Sequence, residues 1–221
     1  MKTSRLIFTL LLASSVAVVQ LAAQRTKADQ KPIEEVTANA QAGDAESDVE
    51  LGLRYDKGEG VVKDHAEAAK WYRKAAEQNY AEAQYNLGVG YYKGEGVTKD
   101  QAEPVKWYRK AAEQNLAKAQ YNLGVCYGHG EGVVKDQVEA VKWYRKAVEQ
   151  NDADAQYNLG ICYERGDGVA EDWVEAYKWL LLAARQGHEA PKEHMTLLES
   201  KLLTPEQVAQ GQKRAREFKP R

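Results

Sequence analysis

Four stretches carry residues that could cradle a phosphate. Residues 57–64 read KGEGVVKD, 93–100 KGEGVTKD, 129–136 HGEGVVKD and 165–172 RGDGVAED, each a Gly-x-Gly set among charged residues. A glycine-rich turn ahead of a helix can aim several backbone N–H groups at an anion. A nucleotide site also needs a preceding strand and a following Gly-Lys-Ser/Thr or a completed GxGxxG, and none of the four stretches has these. The histidines, His65, His129, His188 and His194, lack metalloprotease spacing to a carboxylate, and no serine or cysteine stands in a nucleophile context. Cys126 and Cys162 fall outside any zinc spacing. No catalytic residue, metal ligand or cofactor site is therefore assigned, and a hydrolase is a rival class without residues to carry it.

The four glycine phrases recur every 36 residues, and a fixed period has to be read before any motif inside it. Trp71, Trp107, Trp143 and Trp179 keep the same spacing and define units 45–80, 81–116, 117–152 and 153–188. In the second half of unit one, Ala68, Trp71, Tyr72, Ala75 and Ala76 form one apolar stripe of a helix, with Lys70, Arg73, Lys74 and Glu77 on the other face. Asp64, Asp100, Asp136 and Asp172 each stand three residues before a Glu, the pattern of a capping box. Asn79, Asn115, Asn151 and Gly187 suit left-handed termination.

The first half of each unit carries Ala-x-x-x-Leu-Gly-x-x-Tyr, as in Ala83, Leu87, Gly88 and Tyr91. A glycine inside a helix costs about 1 kcal/mol against alanine, so one at the same place in every unit predicts a close neighbour, the Trp or Tyr of the second helix. Gly58, Gly94, Gly130 and Gly166 then end the first helix, and the second glycine of each pair turns the chain toward the aspartate cap. The expected fold is all-α, a right-handed α/α superhelical solenoid of four helix-turn-helix repeats. Residues 31–44 read as an N-terminal capping helix. Residues 189–221 read as a decayed half-repeat broken by Pro191, followed by a helix opened by the capping box Thr204–Gln207, which covers Leu180, Leu181 and Leu182.

The formal net charge is −2, with 31 Lys and Arg against 33 Asp and Glu, which gives no general pull toward nucleic acid. Lys2 and Arg5 precede the apolar run Leu6–Ala13, the order of a secretory leader, assigned to 1–23 with a linker at 24–30. An uncleaved membrane anchor over Leu6–Ala23 is the alternative, since about 20 residues span a bilayer. Equivalent helices of stacked repeats lie roughly 8–10 Å apart, and a disulfide wants Cα atoms within about 7 Å, so Cys126 and Cys162 read as free thiols.

The pattern A-x-x-x-L-G-x-x-Y-x-x-G-x-G-V-x-x-D-x-x-x-A-x-x-W-Y-x-x-A-A, present from Ala83 to Ala112 except at Pro104, resembles the Sel-1-like repeat family, relatives of the tetratricopeptide repeats. The resemblance implies a non-catalytic scaffold or adaptor, often exported in bacteria, that binds protein or peptide partners. Two departures stand out. Pro104 replaces an alanine and forfeits the hydrogen bond to the Asp100 carbonyl. The paired cysteines of some secreted members are absent, leaving stability to packing.

Repeat arrays bind along a concave face lined by their first helices. Off the packing stripe those helices carry Tyr85, Asn86, Val89; Tyr121, Asn122, Val125; and Tyr157, Asn158, Ile161. By resemblance to tetratricopeptide repeats the Tyr-Asn pair faces a groove, where asparagine hydrogen-bonds a peptide backbone and tyrosine offers a rigid face. The alternative is that the tyrosines pack between repeats and the asparagines satisfy nearby backbone. The expected partner is a protein or peptide, with no nucleic acid, no membrane insertion after leader removal, and a monomeric chain. A cell-envelope glycan, bound through Lys213, Arg214, Arg216, Lys219 and Arg221 with stacking on the tyrosines, is the second reading.

Overall fold

The computed structural model describes residues 31–220. The leader and linker expected over 1–30, and Arg221, lie outside the described residues. Helix α1 (Ile33–Gln41) precedes four hairpins: α2 (Ala45–Lys57) with α3 (His65–Glu77), α4 (Ala81–Lys93) with α5 (Ala102–Glu113), α6 (Ala117–His129) with α7 (Gln137–Glu149), and α8 (Ala153–Arg165) with α9 (Trp173–Arg185). Then come α10 (Pro191–Leu197), a π-helical turn over Leu198–Leu202, and α11 (Pro205–Glu217); among the described residues there is no strand. The cores sit between units. Ala68, Tyr72 and Ala75 of α3 pack with Ala83 and Leu87 of α4, and the α5/α6 and α7/α8 junctions repeat the arrangement. The right-handed α/α solenoid is thus held by neighbour contacts, as one-dimensional arrays are.

The local signals behave largely as their chemistry dictates. The Asp64 carboxylate accepts the N–H groups of Ala66 and Glu67 at 2.9 and 3.0 Å, and Asp100, Asp136 and Asp172 cap their helices likewise. The reciprocal half of the box is not made there. Glu67, Glu103, Glu139 and Glu175 instead take Lys70, Lys106, Lys142 and Lys178, one turn on, at 2.5–3.1 Å. Only at α11 are both halves present, between Thr204 and Gln207. Asn79, Asn115 and Asn151 adopt φ of 64°, 66° and 61°. At Pro104 the expected bond to Asp100 is missing, and α5 begins at Ala102, one position later than its counterparts.

Tyrosine, not tryptophan, covers the helix-internal glycines: a Cβ on Gly88 would stand 2.7 Å from Tyr108, and one on Gly124 2.6 Å from Tyr144. The second loop glycine does more than turn the chain. A Cβ on Gly96, Gly132 or Gly168 would lie 1.9, 1.6 or 2.1 Å from the carbonyl oxygen of His65, Gln101 or Gln137, at the start of the preceding repeat's second helix. These loops press against a carbonyl oxygen, the wrong partner for a phosphate. Arg73 also departs from the solvent face assigned to it: it donates to the Tyr91 hydroxyl at 2.7 Å, and Arg109 and Arg145 reach Tyr127 and Tyr163 in the same way.

A buried amide ladder runs along the opposite edge. The Gln120 Nε2 donates to the Ala112 carbonyl at 3.2 Å and to Asn115 at 3.0 Å, while its oxygen accepts from Gln150 at 2.8 Å. Gln84 does the same in its unit, and Gln156 pairs with Asn151 and Gln186. Unit one has Asp48 at this place, fully buried, and Lys74 answers it by donating to the Asp48 carboxylate and to the Ala40 carbonyl. Gln120→Leu, which roughly keeps the volume but removes three hydrogen bonds, is expected to cost about 2 kcal/mol. Chemical denaturation of the variant measures this, and an unchanged midpoint would show the ladder to be energetically idle.

Helix α10 keeps the repeat register, with Pro191 at the place of Ala155, His194 of Asn158 and Leu198 of Cys162. Of the three leucines, Leu180 lies over Gly160 where tyrosine stands elsewhere, Leu181 packs toward Leu198 and Leu203, and Leu182 joins the Trp179 cluster. Cys126 and Cys162 are free and buried, and burial pushes both thiols up to about 11.

Candidate partner-binding face

The nine residues singled out on the first helices line three successive clefts. Asn86 and Val89 border one beside α3. Tyr85, Val89, Tyr121, Asn122 and Val125 share a second, of about 330 Å³, and Tyr157, Asn158 and Ile161 line a third. Helical register explains the convergence, because positions 85, 86 and 89 recur at the same angle on parallel helices of identical length.

The tyrosines pack between repeats. Tyr85 packs tilted on the buried Tyr108 at a centroid distance of 5.9 Å, and Tyr121 on the buried Tyr144 at 6.2 Å, while Tyr85 and Tyr121 themselves stay part-exposed at the cleft. The Asn122 amide faces the hydroxyls of Tyr85 and Tyr108, and Asn158 faces those of Tyr121 and Tyr144. Burial raises the Tyr85 phenol above its ordinary range, the Asn122 amide opposes that rise, and Asp152 and Asp154 add to it.

Sequence reasoning missed the acidic partners of three histidines. His65 Nδ1 lies 2.9 Å from Asp56, which also accepts from the Tyr72 hydroxyl at 2.8 Å. His194 Nδ1 lies 2.9 Å from Glu164, with Tyr157 beside its other nitrogen at 3.5 Å. His188 stacks on Tyr157 at 5.0 Å and sits 3.2 Å from Asp154. The signal was available in the register, since His194 occupies the asparagine place. These pairs lack a nucleophile: the Tyr72 proton is given to Asp56, away from His65. Among the described residues no group of three potential ligands is placed to hold a metal, and no helix is long and apolar enough to cross a membrane. Of the basic tail, Arg214 is tied to Glu175 at 2.8 Å and is half-buried in the cap.

The Sel1 repeat model matches residues 45–80, 81–116, 117–152 and 153–188, the four hairpins described above. The chain belongs to the Sel1 repeat family. Among solved structures it is similar to c5321, a protective antigen present in uropathogenic Escherichia coli strains displaying an SLR fold, at 40% identity and a TM-score of 0.77 over 85% of this chain. It spans only 41% of that chain. A Sel1 repeat protein from Oxalobacter formigenes is similar at 37% identity and a TM-score of 0.69, covering 78% of this chain and 70% of that one. The immunity protein Pa5087 from Pseudomonas aeruginosa, at 23% identity, shares the fold. Comparison with curated proteins gave no match. Sel1 repeat proteins are typically non-catalytic scaffolds for protein interaction.

Proposed function

We propose that this Sel1 repeat chain is an exported, monomeric scaffold that holds a protein or peptide segment along its inner face. The observation that supports this reading most is the row of asparagine and tyrosine side chains brought to successive clefts by the 36-residue register. Asparagine amides at this spacing offer a donor and an acceptor to each turn of an extended backbone. The glycan reading is weaker, because stacking on a sugar needs a free ring face and Tyr85 and Tyr121 already lie against Tyr108 and Tyr144.

Replacing Asn86, Asn122 and Asn158 together by alanine is expected to lower partner recovery in a pull-down at least tenfold, by roughly 1.4 kcal/mol or more, while the melting temperature moves only a few degrees. A triple variant that melts far lower and binds normally would assign these amides to structure. Export is a separate expectation, carried by Lys2, Arg5 and the apolar run after them. Cell fractionation should find the mature chain outside the cytosol, and recovery of the full chain with Met1 in the cytosol would end that reading.

A further inference from the structure

We infer that the bound segment anchors one neutral aromatic side chain in the cleft between units two and three; this deepens the binding reading above and rests on it. The cleft, of about 330 Å³, lies at the small end of the range of ligand pockets, with room for one side chain and the backbone that carries it. Tyr85, Val89 and Tyr92 stand at i, i+4 and i+7 on α4, one helical face, and Tyr121 and Val125 of α6 line the same cleft. Beneath Tyr85 lies the buried ring of Tyr108.

Tyr92 sets this cleft apart from its neighbours. The residue at the same place in unit one, Asp56, is taken up by His65 and Tyr72, and that in unit four, Glu164, by His194. Unit three has Gly128 there, so the matching clefts carry Asp56 or Gly128 where this one has a ring. Tyr92 itself is 48% exposed. Glu131 stands near it and, chiefly through its charge, raises the phenol above its ordinary range. The two charged residues that line the cleft, Lys93 and Glu131, have opposite signs, and Lys93 lies 3.6 Å from Glu95. An ionised occupant of either sign would meet a like charge as well as an opposite one, which leaves the advantage with a neutral group. A ring entering among tyrosines gains offset or edge-on contacts that an aliphatic side chain does not. The Asn122 amide, at the same cleft, is placed to bond the peptide unit that carries the ring.

The full chain is titrated by fluorescence anisotropy with labelled peptides Ser-Gly-Ser-X-Ser-Gly-Ser, in which X is Phe, Leu, Lys or Glu. The Phe peptide is expected to bind about fivefold more tightly than the Leu peptide, and the Lys and Glu peptides more weakly than either. Tyr92→Ser should erase the preference for Phe and leave the melting temperature within a few degrees of the parent, because this ring is exposed rather than part of a core. Tyr92→Phe, which keeps the ring and drops the hydroxyl, should retain the preference. Equal binding of the Phe and Leu peptides, both weakened by the triple asparagine variant, would overturn the aromatic anchor and keep the binding face. A Lys peptide that binds most tightly would place a cation over the rings and overturn the inference, as would a preference for Phe that survives Tyr92→Ser. Failure of every peptide to bind would also overturn the anchor, and the pull-down described above then decides the binding face on its own.

Discussion

Gly132→Ala should be among the most damaging single-methyl changes in the chain. The residue has φ of 70°, and the added Cβ would stand 1.6 Å from the Gln101 carbonyl oxygen and 3.1 Å from the Val105 side chain. Left-handed backbone costs a non-glycine residue about 1–2 kcal/mol, and forcing extra atoms into a packed junction adds about 1–3 kcal/mol. The expected loss is about 4 kcal/mol, or roughly 10 °C in melting temperature. Gly43→Ala is the control, since Gly43 also has positive φ, 98°, but nothing lies within 4 Å of its Cβ. It should lose only the backbone part, about 1–2 kcal/mol. If the two variants melt together, the contact between loop and preceding repeat contributes nothing.

Trp143→Ala should cost as much by another route. The ring is 6% exposed and sits among Val105, Tyr108, Leu123 and Cys126, so it joins unit three to unit two. Truncating a buried tryptophan typically costs about 3–5 kcal/mol, and melting should fall by roughly 10 °C. Trp143→Phe should cost less than half of that. Its indole N–H is buried without a partner, as are those of Trp71, Trp107 and Trp179, so the polar atom contributes no bond to lose, while Lys146, 4.0 Å above the ring, can remain over a phenyl face. Circular dichroism melts of the two variants decide it. A phenylalanine variant as unstable as the alanine one would show that the indole N–H is satisfied after all.

Features that depend on residues within one turn were readable in the sequence. Asp64 capping α3 and Asn79 turning left-handed need only their own backbone, so residue type was enough. Features that depend on a neighbour about 30 residues away were not. Gly132 reads as a turn residue until the Gln101 carbonyl is placed beside it. Gln120 interrupts an apolar stripe without announcing its partner, although the recurrence of Gln84, Gln120 and Gln156 with Gln114, Gln150 and Gln186 held the clue. The register brought all nine residues to clefts, but it could not show that the Asn122 amide would stand beside the Tyr85 and Tyr108 phenols.

The amide ladder also decides where the array can change length. A unit duplicated between units two and three would carry its own glutamine, asparagine and terminal glutamine, and every donor and acceptor at both new seams would find the partner it has now. A unit added ahead of unit one would meet Asp48 where the ladder needs an amide, and that carboxylate already relies on Lys74. Growth past unit four would meet Gly187, which has no side chain to pass the bonding on. The two ends therefore act as punctuation, and insertion or deletion of whole internal units lengthens or shortens the inner face without redesigning any seam.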